Sequence, residues 1–485
     1  MSERLEKAER LRAEGIEPYA RSFRDRTKIA TVLDAHDPEE LGAGEHSQWS
    51  YRIAGRLTGQ RGHGKTAFFD LRDLSGTMQA YARRDALGDE AFERIEALDI
   101  GDAVGVEGDL YVTKRGQLAL EVRECTLLAK ALRDPPDLFH GISDPETRYR
   151  QRELDLIANE RTREIFLLRA KLIAAIRGYM NEHDFVELET PMLQGLAGGA
   201  AARPFETHHN ALGQDFVLRI SSELHLKRAV VGGFENVYEL GKFFRNEGIS
   251  PQHNPEFTMM EWFKVGAEYK DVMAYTEGLI STVVEQVLGT TKVERDGETI
   301  DFAAPWERVS LRDAVRERAG VDILEASREE LIQILDEDVD PRADWGSVVE
   351  TIQSKLVEPT LRQPTFLYDL PREVWPLVPV HPEHPELAEA FDGIVAGIEV
   401  LGGGSDINDP VEQRERFVEQ RKRQEEGAEE APQPNDEEFV RALEYGMQTM
   451  SGSGVGIDRL LMILAEAENL REVILFPTLR EASEG

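Results

Sequence analysis

Arg245 and Glu247 stand two residues apart in YELGKFFRNEGISPQHNPEFTMMEWF, residues 238–263, with His253, Asn254, Phe257 and Glu261 following. On a β-strand, positions i and i+2 share a face, so the two would present a cation and an acceptor side by side. Taken alone, the pair is a surface ion pair. Downstream, Asp392 and Glu399 flank a short turn-like segment around Gly393 and Gly397. In a hairpin the two carboxylates can face each other, and carboxylate oxygens are what magnesium takes. Each alone reads as an exposed carboxylate. Near the C-terminus, Gly452, Gly454 and Gly456 precede Asp458 and Arg459. Alternating glycines mark close backbone packing.

Those side chains need strands and helices to hold them. From about 164, EIFLLRAKLIAAIRGYMNEHDF spaces its apolar residues at helical intervals and predicts a long amphipathic helix. FVELETPML, DFVLRISS, NVYELGKFFR and FTMMEWFKV read as strands, and GSGVGIDRLLMILAEAEN as a glycine-rich strand turning into a helix. Two charged insertions, at about 290–360 and 410–440, have a helical pattern. The second holds RKRQEEGAEEAPQPND, a solvated helix end and loop. Residues 50–130 differ in kind. WSYRIAGRL, AFFDLRD, MQAYARR, DAVGVEGDLYVT and QLALEVREC show partial period-2 alternation between glycine-bearing turns. Five short strands predict a small barrel such as an OB-fold. An immunoglobulin-like sandwich, which usually needs more strands, is the alternative. The expected domains are a helical arm at 1–45, the barrel at 46–135, a linker at 136–163 and an α+β domain at 164–485.

A chain of 485 residues is long enough for two or more cores. With 41% hydrophobic and 31% charged residues, it fits a soluble globular protein, and no run approaches the length that spans a bilayer. The N-terminal MSERLEKAERLRAEG is charged throughout, so no secretory signal is expected and the cytoplasm is the default. Cys125 is the single cysteine, which excludes an internal disulfide and a cysteine metal cage. It is expected to be a buried or half-buried strand residue. A net charge of −35 argues against a generally basic nucleic-acid binder, so such contacts would need local basic patches. The acidity fits either adaptation to high salt or an ordinary acidic cytosolic enzyme.

The flanks of Arg245 and Glu247 resemble the second signature motif of class II aminoacyl-tRNA synthetases. The segment from Gly452 to Arg459 resembles the third. The helix at 164–183 followed by FVELETPML, with Pro191, resembles the first. RYRQRELDLIANE, GGAAARPFETHHNAL, SSELHLKRAVVGGFENVYELGKFFRNEGISPQHNPEFTMMEW and VGIDRLLMIL…REVILFPTLR look like the bacterial lysyl branch, as does the N-terminal part through ALRDPPDLFHG. The resemblance covers essentially the whole chain and is weakest from about 290 to 440. It implies an OB-fold anticodon-binding barrel and a catalytic domain of antiparallel sheet flanked by helices. It also implies an ATP- and magnesium-dependent enzyme that charges tRNA with lysine and works as a homodimer.

By the same resemblance, Arg245 contacts the α-phosphate and the substrate carboxylate, and Glu247 accepts from the adenine amino group. His253 reaches the outer phosphates, Asn254 and Glu399 belong to the ATP site, and adenine is sandwiched between Phe257 and Arg459. Asp392 and Glu399 fall where the family holds its metal, with a shorter carboxylate at 392. Gly199, Glu223, Arg245, Glu261, Phe263, Gly402, Gly404 and Asp406 make up the amino-acid pocket. In the barrel, Phe68 and Gln79 take anticodon bases, and Gln117 stands where a glutamate is usual. The alternative for Phe68 is a core aromatic.

The pocket breaks the lysyl pattern in places. After Glu399 the chain reads VLGGGSDIND, where lysyl enzymes carry an asparagine, an aromatic and a glutamate. Gly402, Gly404 and Asp406 are the departures, and Phe263 replaces a tyrosine. GGGS looks like the aspartyl branch, yet the lysine and arginine that this branch places over an acidic side chain are missing. Glu223, Glu261 and Asp406 favour a cation instead. Lysine is the expected substrate in a wider pocket, with Trp262, Trp375 or a longer substrate to fill the gap. A paralogue activating another cationic amino acid, or modifying a non-tRNA acceptor, is the second reading. A catalytically silent RNA-binding protein is the third, and the presence of Arg245, Glu399 and Arg459 speaks against it.

Overall fold

The computed structural model describes residues 2–480 except 43, 45, 336–338, 340–342 and 426–435. The chain divides into two units, Met1–Glu160 and Arg161–Gly485. In the first, α1 (Ser2–Ala13) precedes five strands whose alternate side chains point in and out. β1 (His46–His63), β2 (Thr66–Arg72), β3 (Thr77–Arg83), β4 (Ala103–Val112) and β5 (Leu118–Ala129) close a barrel in the order β1-β2-β3-β5-β4. β1 is long enough to pair with both β2 and β4, and β3 and β5 run parallel. A closed five-stranded barrel decides for the OB-type fold over the sandwich. Ile53, Leu57, Phe69, Leu71, Met78, Val106 and Leu120 fill it, joined by Phe92 and Ile95 from the helix Asp89–Glu96. Cys125 is half-buried on β5, where burial pushes its thiol up to about 12 and leaves it unreactive. The stretch read as a linker carries two short helices, Pro145–Arg150 and Arg152–Ala158.

In the second unit, α2 (Glu160–Glu182) follows the helical pattern and buries Ile165, Leu172, Ile176 and Met180. After it come β6 (Val186–Glu187), β7 (Leu193–Gln194), β8 (Glu206–His209) and β9 (Gln214–Leu218), then α3 (Glu223–Val231). β10 (Asn236–Phe244) and β11 (Glu256–Val265) form a hairpin, followed by α4 (Tyr269–Leu288). β12 (Lys292–Arg295), β13 (Glu298–Asp301), β14 (Glu307–Ser310), β15 (Thr365–Pro371), β16 (Leu387–Val395) and β17 (Ile398–Ser405) lead to α5 (Pro410–Glu425), β18 (Met450–Gly456) and α6 (Ile457–Leu464). Eight strands make the central sheet in the order β14-β15-β16-β17-β18-β11-β10-β6. It is antiparallel except at β14–β15 and β10–β6.

The insertion at 290–360 opens with three strands, where a helical pattern was expected. Over four residues, alternation and helical spacing look alike, and pairing partners decide between them. RKRQEEGAEEAPQPND lies largely outside the described residues. One face of the sheet is the main core: Tyr238, Met260, Trp262, Val400 and Val455 pack under Leu172 of α2, Ile280 of α4 and Leu461 of α6. Because side chains alternate along β11, Met259, Glu261 and Phe263 turn the other way and line a cavity. Among the described residues, no helix is long and apolar enough to cross a membrane.

Candidate active site

β10 ends at Phe244, so Arg245 and Glu247 lie in the loop that leaves it, not on a shared strand face as expected. The loop is still anchored, because the Arg245 N–H donates to the Pro255 carbonyl at 3.0 Å. The Arg245 guanidinium lies 5.2 Å from the Phe257 ring, and its Nε is buried with no hydrogen-bond partner among the described residues. Burial presses its pKa below the ordinary value, while Glu247, Glu399 and Glu261 oppose that shift. A buried guanidinium with a nitrogen left unpartnered suits an anionic ligand.

A cavity of about 230 Å³ is lined by Arg245, Glu247, His253, Asn254, Phe257, Glu399 and Arg459. All seven residues expected around ATP therefore meet in one place. Arg459, on the first turn of α6, donates to the Glu399 carbonyl at 2.8 Å and pairs with its carboxylate at 3.2 Å. Its other terminal nitrogen lies 3.1 Å from His253 Nε2. Arg245 is the guanidinium over Phe257, and Arg459 pairs with Glu399 and His253. Burial and then Arg459 push the His253 imidazole below its ordinary value. Asp458 is buried beside Arg459 and accepts the Thr258 N–H at 2.7 Å and Arg169 at 2.5 Å, so it ties α6 to β11 and α2.

A second cavity, about 320 Å³, is lined by Gly199, Glu223, Arg245, Glu261, Phe263, Gly402, Gly404 and Asp406. All eight residues expected in the amino-acid pocket are there. Its floor is two rows across three strands, Glu261–Gly454–Gly402 and Phe263–Gly452–Gly404. Gly452 has to be glycine, because a Cβ there would stand 2.3 Å from the Phe263 ring. Glu261 is buried and accepts from Ser221 Oγ at 2.7 Å and from Ser222 N at 2.6 Å. Burial raises its pKa against those bonds.

Lys227, which the sequence reading did not place in the pocket, ion-pairs with both Glu223 and Asp406. Two of the cavity's carboxylates are therefore already paired. Burial pulls the Lys227 ammonium down, but Asp406 and Glu223 together hold it above its ordinary value. Burial pushes Asp406 up to about 7 against the pull of Lys227. The signal was available, since Glu223 and Lys227 are four apart on one helix.

Asp392 and Glu399 both line the larger cavity, but they are not directly opposed as expected. Asp392 lies across from Gly402 and Glu399 from Ile394, with an irregularity after Gly393. Burial, then Glu399, then Glu358, raise Asp392 well above the usual carboxylate range. Gln353 Nε2 donates to Asp392 at 2.7 Å and to Glu358 at 3.0 Å. Gln353 and Glu358 were missed because their segment reads only as a charged insertion. Among the described residues, no three histidine, cysteine or acidic side chains stand close enough to hold a metal by themselves. Two crowded carboxylates still fit magnesium, which ordinarily completes its shell with phosphate and water.

On the barrel, β2 buries Phe69 and turns Phe68 outward, so Phe68 is not a core residue. Its ring stacks on Tyr81 at 4.7 Å, and Tyr81 stacks on Tyr111 at 5.7 Å. Gln79 shares that outer face and donates to Asp70 at 3.2 Å. Gln117 is exposed in the turn between β4 and β5. Tyr81 and Tyr111 extend the aromatic row beyond the one residue expected.

Residues 144–480 match the family described as tRNA synthetases class II (D, K and N), and residues 51–128 match the OB-fold nucleic acid binding domain. The chain belongs to the class II tRNA synthetases. Along nearly its whole length it is similar to proteins named lysine–tRNA ligase. It is 45% identical to that of Dehalococcoides mccartyi, over 99% of this chain and 97% of that protein. It is likewise 45% identical to that of Enterococcus faecalis, over 98% and 96%. With that of Staphylococcus aureus it shares 43%, over 99% and 98%.

Proposed function

We propose that this chain activates lysine with ATP to lysyl-adenylate and transfers it to tRNA(Lys) in the cytoplasm. The observation that carries the reading is that Arg245 and Glu399 line both cavities. The reaction joins a carboxylate to the α-phosphate, and a buried cation at the junction is what that step needs. An oxygen of the lysine carboxylate attacks the α-phosphorus, the bond to the β-phosphate breaks, and pyrophosphate leaves. The attacking group is already ionised, so no general base is required, and catalysis rests on positioning and charge. A ribose hydroxyl at the tRNA 3′ end then attacks the adenylate carbonyl, and AMP leaves.

In this reading Arg245 bridges the substrate carboxylate and the α-phosphate, His253 and Asn254 belong to the phosphate loop, and Glu247 takes the adenine amino group. Phe257 stacks the base, with Arg459 closing over it once ATP draws it from Glu399. Asp392 and Glu399 would hold magnesium, which would supply positive charge to the bound phosphates. Glu223, Glu261 and Asp406 give the amino-acid cavity its preference for a cationic side chain. Gly199, Phe263, Gly402 and Gly404 shape it. Phe68, Gln79 and Gln117 contact the anticodon, since stacking on an exposed aromatic is how OB surfaces hold single-stranded bases. A homodimer is supported by exposed Leu167, Val186, Met192, Leu193 and Leu196 around α2 and the outer strand β6. Light scattering should return twice the chain mass, and a fully active monomer would refute the dimer.

The deciding experiment is magnesium-dependent ATP–pyrophosphate exchange with each of the twenty amino acids plus ornithine, arginine and β-lysine. Lysine should be the best substrate. Preference for another cationic amino acid would move the assignment within the cavity, and preference for a neutral or acidic one would remove it.

A further inference from the structure

The segment that follows β15 lies over the glycine floor of the amino-acid cavity. A Cβ on Gly402 would stand 3.3 Å from Trp375 Cη2, and one on Gly404 would stand 3.0 Å from Val378 Cγ2. Trp375 and Val378 therefore occupy space that side chains on β17 would otherwise take. Both line the cavity.

This cover is clamped from behind by α5. Arg416, itself buried, donates from one terminal nitrogen to the carbonyls of Arg372 at 3.1 Å, Trp375 at 3.3 Å and Val378 at 3.4 Å. Gln413 donates to the Pro376 carbonyl at 3.1 Å, and the Leu377 carbonyl accepts from the Ile407 N–H at 3.1 Å. Four consecutive backbone anchors, at residues 375–378, make the segment a fixed wall. At the same cavity, Asp406 spends Oδ1 on Lys227, while its Oδ2 is buried with no partner among the described residues. A carboxylate oxygen kept dry and unpaired costs stability unless a ligand completes it.

Resting on the lysine reading above, we infer that Trp375 determines amino-acid specificity. Seated on Gly402, it narrows the cavity to an unbranched cationic side chain, whose ammonium completes Asp406 Oδ2. Arg416 is the positioning residue that holds the wall in place. A wider head group such as guanidinium meets the indole, whereas a lysine stem packs along it. A cavity edge that discriminates by about one methylene's worth of contact is worth roughly tenfold or more in selectivity.

The test is pyrophosphate exchange with lysine and with arginine for the wild-type enzyme, Trp375→Ala and Trp375→Phe. Trp375→Ala should raise the lysine KM and shrink the lysine-over-arginine ratio of kcat/KM, each by roughly tenfold, with the ATP KM within about twofold. Trp375→Phe should restore most of the ratio. As a readout that does not require the alanine variant to fold, lysine titrated into the wild type without ATP should change tryptophan emission. Trp375→Phe should lose that change while still binding lysine by calorimetry. An ATP KM that rises with the lysine KM, an unchanged ratio, or an emission change that survives in Trp375→Phe would overturn the inference while wild-type lysine exchange stands. A wild type with no lysine-dependent exchange is the different failure: it removes the lysine reading, and the inference falls with it.

Discussion

On the nucleotide side of the site, Arg245, His253 and Phe257 come from one hairpin and Arg459 from the turn after β18. On the amino-acid side, Glu223 stands on a helix, Glu261 on β11, Gly402 on β17 and Trp375 on a turn fixed by α5. The first side is cationic and built from short local segments; the second is acidic, glycine-floored and assembled from distant ones. Phosphate is the same ligand whatever the amino acid, so one compact arrangement of cations serves. A side chain must be told from its neighbours by shape, and shape requires walls that converge from several directions.

The largest effect should come from the cation the two sides share. Arg245→Ala is expected to lower kcat for pyrophosphate exchange by roughly 10²–10³-fold, because in the proposed mechanism the guanidinium serves charge that develops at the α-phosphate. Affinity for tRNA, measured by filter binding, should stay within about twofold. A loss confined to the lysine KM would place Arg245 on the amino-acid side alone and break the comparison.

Next in size is a change that should leave both sides untouched. Phe68→Ala removes the outward ring that stacks on Tyr81. The expected result is a tRNA KM raised by about tenfold in aminoacylation, with pyrophosphate exchange unaffected. If both activities fell together, the barrel and the catalytic unit would not be separable in this way.

The smallest effect sharpens the acidic side. Asp406 is pushed up from 3.8 to about 7, and in the proposed pocket the substrate ammonium is expected to bind its ionised form. The lysine KM should therefore rise as pH falls through 7, approaching tenfold per unit below it, and level off above. The ATP KM should be flat over the same range, and Asp406→Asn should flatten the lysine profile. The sign for stability is opposite. With the folded value above the ordinary one, this group's contribution is full below about 4 and is lost as pH rises through about 7. Urea midpoints of the wild type and Asp406→Asn across that window would check it.

Much of this protein was legible in the chain itself. Period-2 alternation marked the five barrel strands, because each needed one face buried, and it left open both the direction of Phe68 and the choice between barrel and sandwich. The helix at α2, the hairpin around Arg245 and the glycine strand before Arg459 were readable for the same reason: each is a local pattern with a local cause. The resemblance named seven residues of one cavity and eight of the other, but Gln353, which lines the second, read only as part of a charged insertion. What the tertiary structure alone decided is how distant segments meet. Arg245 sits beyond its strand, Asp392 and Glu399 are offset by a bulge, Lys227 pairs with Asp406 from a distant helix, and Trp375 rests on Gly402. None of these follows from spacing, because ion pairs and steric contacts between segments are set by how the sheet and its covering turns pack, and periodicity records only which way each side chain starts out.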